Sequence, residues 1–171
     1  MNLKTELAKP RSTNQVRKIA AFIGSDPDLF HELMEVFFGT EHRQTQLAAH
    51  IMSHCFDNFK ELIEPYIPQL IENLTANPEV SIKRNTVRIL QDQDIPEEYQ
   101  GQLYDSCFQY LVSSNEPIAV KAFSMTIAAN MASIYPELKN ELKPVIEEQI
   151  LYGSPGLKSR GKKTLKHLMK L

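Results

Sequence analysis

Leu33, Leu70, Phe108 and Ile146 are separated by 37, 38 and 38 residues, and Phe37, Leu74, Val112 and Ile150 repeat the same steps four positions further on. Two apolar positions four apart share one face of a helix. A face that returns about every 38 residues marks a chain that uses one supersecondary unit several times over. A second series keeps the same spacing, with Arg43, Lys83, Lys121 and Lys158 at steps of 40, 38 and 37. Turn residues precede most of its members: Gly39-Thr40, Asn77-Pro78, Asn115-Glu116-Pro117 and Ser154-Pro155-Gly156. Each turn joins helix-stop to helix-start chemistry, and Pro is tolerated in a first turn because its missing N–H costs nothing there.

The periodicity predicts helices near residues 12–23, 28–38, 41–57, 66–76, 79–92, 97–113, 117–133, 137–151 and 156–170, with no strand signal. Their apolar stripes, such as Leu47, Ile51, Cys55 and Phe59, cannot be buried by one helix pair alone. Neighbouring pairs must therefore stack. The expected organisation is one domain, with an N-terminal helix at 12–23 and repeats at about 28–57, 66–92, 97–133 and 137–170.

At 171 residues the chain is long enough to bury roughly 70% of its unfolded surface without a disulfide or structural metal. Its 42% hydrophobic and 23% charged residues exclude wholesale disorder, and phosphate-cradling glycine motifs are absent. No apolar run reaches membrane-spanning length, and MNLKTELAKPRSTNQ lacks the apolar core of a secretion signal, so a cytoplasmic location is expected. Cys55 and Cys107 lie on apolar stripes and are expected to be reduced, buried thiols. The net charge of −2 conceals a polarity: residues 1–18 carry +4 and residues 154–171 carry +6, which leaves −12 for residues 19–153.

IPQLIENLTANPEVSIKRNTVRIL, residues 67–90, resembles a HEAT repeat: a first helix of the form I-P-x-L-I-x-x-L, a turn containing N-P, and a second helix opening with an aliphatic and then a basic residue. The same pattern recurs more weakly in 29–51, 108–128 and 145–168. The chain thus resembles the HEAT and armadillo-like helical repeat proteins, of the small bacterial type, over about residues 12–171. The departures are His42 in place of an aliphatic residue, Lys162 and Lys163 at small-residue positions, and differently placed Pro68 and Pro144. The resemblance implies an all-α fold, a short right-handed α-solenoid (α-α superhelix) of helical hairpins. It also implies a non-catalytic scaffold that holds a protein partner on a concave face, and no cofactor.

Other chemistries fit these residues less well. His50 and His54 stand one turn apart beside Cys55, with His42 further back, but Cys55 points into the apolar stripe and His50 away from it, so these groups should not converge on a metal ion. SSNEPIAVK, residues 113–121, is faintly similar to the S-S-x-M-P-x-K-x-N loop of the adenylosuccinate lyase and fumarase superfamily. Glu116 replaces its Met, Lys121 falls two positions late, and no Asn follows in register. Glu97-Glu98 and Glu147-Glu148 are adjacent and point in different directions, and Ser106-Cys107 has no nearby histidine to act as a base. No catalytic site is expected.

The last helix, LKSRGKKTLKHLMKL, has an apolar face of Leu157, Thr164, Leu165, Leu168 and Leu171 surrounded by Lys158, Arg160, Lys162, Lys163, Lys166 and Lys170. It reads either as a lysine-solubilised terminal cap or as a basic binding element. Gly161 inside it reads as a bend or a weak point. Some HEAT-like proteins related to alkylation repair carry DNA in a basic groove. The alternative function is therefore nucleic-acid binding through the basic ends and the Arg43, Lys83, Lys121 and Lys158 ladder, although the acidic body opposes it. For a protein partner, Tyr66, Tyr99, Tyr104, Tyr110 and Tyr135 are the candidate anchors, and a basic segment would suit the charge.

Overall fold

The computed structural model describes residues 2–9 and 12–171 of the chain. Arg11 of the basic N-terminal stretch lies outside the described residues. Among the described residues, ten α-helices and three short 3-10 turns account for the regular structure, and no strand occurs. The chain divides into two compact units, Met1–Asn73 and Leu74–Leu171.

In the first unit, α1 (Leu3–Leu7), α2 (Thr13–Ile23), α3 (Pro27–Phe37) and α4 (His42–Asn58) pack together. Side chains start all four: Asn2, Ser12, Asp26 and Glu41 each accept a backbone N–H of the following turn, and Pro27 opens α3. The helices close on a core that includes Ile19, Phe30, Leu33, Phe37, Ile51 and Met52, all essentially inaccessible to water. Helix α1 departs from the expected start at residue 12. Five residues cannot establish a helical period, yet Leu3 and Leu7, one turn apart, are both buried against the unit. Two 3-10 turns, Lys60–Leu62 and Glu64–Tyr66, then lead into α5 (Ile67–Thr75), in which the boundary between the units falls.

The second unit carries α6 (Val80–Leu90), α7 (Glu97–Val112), α8 (Ile118–Ile134), α9 (Lys139–Tyr152) and α10 (Pro155–Leu168). The second helices of its repeats form one layer, with α6 against α8 and α8 against α10, while α7 contacts both α8 and α9. Polar side chains stitch one repeat to the next. Tyr110 donates to the carbonyl of Leu74 (2.8 Å) and Gln149 to that of Leu111 (3.2 Å), so α7 and α9 each satisfy a carbonyl near the end of the preceding first helix. Gly161 has a packing role. It lies buried in the stripe Leu157, Gly161, Thr164 and Leu168, where an added Cβ would come within 2.8 Å of Ile150. The glycine lets α10 approach α9 closely.

Candidate functional site

Helix α5 ends in Leu74 and Thr75, and the chain reverses through Asn77, which adopts φ 51° and donates its N–H to the carbonyl of Leu74 (3.0 Å). Asparagine tolerates this left-handed conformation better than most residues because its side chain can bond locally. Its Oδ1 accepts from Lys83 Nζ at 2.7 Å. The same ammonium donates to Glu116 in the turn before α8 and lies 4.6 Å from the centre of the Tyr110 ring. Lys83 is only 3% exposed, and its three N–H groups face a carbonyl-type oxygen, a carboxylate and an aromatic face.

Above this cluster opens a hollow of about 410 Å³. One wall is a single face of α7, Asp105, Ser106, Gln109 and Tyr110, continued by Ser113 just past its end. The opposite rim is Leu74, Thr75 and Asn77, with Glu116 closing one side. Asp105 and Gln109 are exposed, whereas Tyr110 lies 95% buried with its phenol pushed above the usual range, chiefly by burial and further by Cys107 and Glu116. None of the residues lining the hollow is Lys or Arg.

The structure separates the basic residues singled out by spacing. Lys83 belongs to the interior, where its charge is committed to Glu116 and Asn77, and it does not present itself to a phosphate backbone. Lys121 keeps an asparagine six residues before it, Asn115, but Ser154 stands one 38-residue step after Glu116, and Lys121 is half-buried. Lys158 is also half-buried. Arg160 donates to Thr126 Oγ1 of α8 at 3.0 Å and so serves the joint between repeats. Lys162, Lys163 and Lys166 are exposed along α10. Arg43 is exposed at the start of α4, beside Lys9, Gln44 and Gln46 in a hollow of about 340 Å³ belonging to the first unit.

The tyrosines mostly serve the fold. Tyr104 and Tyr110 are buried, Tyr104 donating to Glu141 (2.7 Å) and Tyr110 to the Leu74 carbonyl. Tyr135 donates to Gln100 (2.8 Å), and the Tyr66 hydroxyl pairs with His31 Nδ1 (2.9 Å). Tyr99 is half-buried. Cys55 and Cys107 are buried free thiols, each pushed up to about 12 by burial. A thiol held neutral in this way is a poor nucleophile near neutral pH. His50 and His54 are half-buried, and no group of three His, Cys, Asp or Glu side chains among the described residues is placed to hold a metal ion. SSNEPIAVK, residues 113–121, forms the turn between repeats and the first turn of α8, with Glu116 paired to Lys83.

The pattern that defines the HEAT repeat domain matches residues 3–168, nearly the whole chain. The chain belongs to the HEAT repeat family. Neither the curated proteins nor the solved structures offer a match to it. HEAT repeats are in general protein-interaction scaffolds and are generally not enzymes. Among the described residues of this HEAT repeat protein, no helix is long and apolar enough to cross a membrane. The Lys83, Asn77 and Glu116 cluster ties one HEAT repeat to the next.

Proposed function

We propose that this HEAT repeat protein is a non-catalytic scaffold that binds a protein partner carrying a basic segment. The observation that carries the reading is the surface of the second unit around α7. That helix contains Glu97, Glu98 and Asp105 and no Lys or Arg, and the hollow beside it is lined with hydrogen-bond acceptors. The buried thiols and the committed lysine offer no catalytic group that would compete with a binding role. A titration of the whole protein with a basic peptide at low and at raised salt tests it. Saturable binding that weakens with salt is expected. Absence of binding at low salt would remove the basic partner.

One observation favours a second reading. Lys162, Lys163 and Lys166 are all exposed on α10, as a phosphate-binding strip requires. If nucleic acid is the partner, the triple change of these residues to Glu weakens binding of a labelled oligonucleotide and lowers its salt dependence. Unchanged affinity in that variant removes α10 from any nucleic-acid role and leaves it as the terminal cap.

A further inference from the structure

We propose that the hollow between α7 and the two repeat turns is a recognition site for an arginine side chain of the partner. This inference rests on the protein-scaffold reading and names where that scaffold reads its partner. The first observation is charge. Asp105 is exposed on the α7 wall, Glu116 lines the other side, and Ser106, Gln109, Ser113 and Asn77 add hydrogen-bonding groups without a single basic residue. The second is an unmet bond. Glu116 has a side chain only 10% exposed, and while one of its oxygens accepts from Lys83, Oε2 is buried without a hydrogen-bond partner among the described residues. A buried carboxylate oxygen left without a donor is costly and rare in folded proteins.

Lys83 cannot supply that donor, because its three N–H groups already face Asn77, Glu116 and the Tyr110 ring. A donor brought from outside has to be cationic to suit Asp105 at the mouth. A guanidinium meets both demands: it is a planar fork of five N–H groups that bonds carboxylates in pairs and is more weakly hydrated than an ammonium. The hollow, at about 410 Å³, has room for that head and part of its stem. Lys83 offsets Glu116, so with Asp105 the hollow and the cluster beneath it carry one net negative charge, which matches a single added cation.

The test uses the full chain and two labelled peptides, one alternating glycine with arginine and one alternating glycine with lysine, followed by fluorescence anisotropy. Asp105→Asn should bind the arginine peptide about tenfold more weakly than the natural protein, and Asp105→Lys weaker still. The double change Glu147→Gln/Glu148→Gln, on the solvent face of α9, should leave affinity unchanged. The arginine peptide should bind more tightly than the lysine peptide. Equal losses from the α9 change and from Asp105→Asn, or no loss at Asp105, would overturn the site. Capture from a nuclease-treated lysate separates the two levels of failure. If the natural protein and Asp105→Lys retain the same proteins, the scaffold stands and this site is wrong. If neither retains any protein, the scaffold reading fails with it.

Discussion

The Lys83 ammonium and the Glu116 carboxylate meet across 33 positions of sequence, with 4% and 10% of their side chains exposed. The pair joins the second helix of one repeat to the turn of the next. Removing one member of a buried pair strands the other charge, which costs about 3–5 kcal/mol. Lys83→Met should therefore lower unfolding stability in urea by an amount in that range. The double variant Lys83→Met/Glu116→Gln should lose less than the two single losses combined, because no uncompensated charge remains. Strict additivity would mean that the pair does not couple the repeats.

Two glycines should respond in opposite directions. Gly161 faces Ile150 so closely that Gly161→Leu must displace α10 from α9, at a cost of about 1–3 kcal/mol. Gly101 is exposed within α7, and an added Cβ there meets nothing within 4 Å. Gly101→Ala should stabilise by about 0.5–1 kcal/mol through helix propensity and reduced unfolded-state entropy. Thermal melts of the two variants check both signs.

Tyr110→Phe removes one of two donors to the Leu74 carbonyl, which keeps the Asn77 N–H, so only the net worth of a buried hydrogen bond is lost. A loss of about 0.5–1.5 kcal/mol is expected. Tyr66→Phe makes a contrast, since its hydroxyl partner His31 is exposed and water can replace the bond. Denaturant midpoints for the two variants should differ accordingly.

The thiols give a pH dependence with a definite sign. Cys55 and Cys107 have ordinary values of 9.0 and are each pushed up to about 12 by burial. Between these values the unfolded chain loses protons that the folded chain keeps. Stability from this source is fully present below pH 9 and is lost as pH rises toward 12. In the native protein at neutral pH both thiols should react slowly with a maleimide or a disulfide reagent, and in urea both should react fast. Rapid labelling of either in the native state would contradict the burial.

Much of the fold was legible because it rests on period and punctuation. In the stripe through Leu33, Leu70, Phe108 and Ile146 the first, second and fourth are buried and Phe108 is half-buried, and helix starts fall at Ser12, Asp26, Glu79 and Ser154, where the sequence places capping residues or prolines. Helix α1 was not legible, since five residues show no period. The meaning of Gly161 depends on Ile150 across the interface, which no local pattern reveals. The basic ladder shows the same limit. Spacing finds Lys83 and Arg43 alike, yet one is buried against a carboxylate and the other is exposed. The hollow was missed because Asp105, Ser106, Gln109 and Ser113 look, in one dimension, like any solvent face. Only folding brings Asn77 and Glu116 alongside them.

The most direct test of the scaffold account is capture of partners from a native lysate on the tagged protein, with and without nuclease. The account predicts a discrete protein that stays bound after digestion and leaves as salt is raised. Recovery of nucleic acid, with every associated protein lost on digestion, would contradict it.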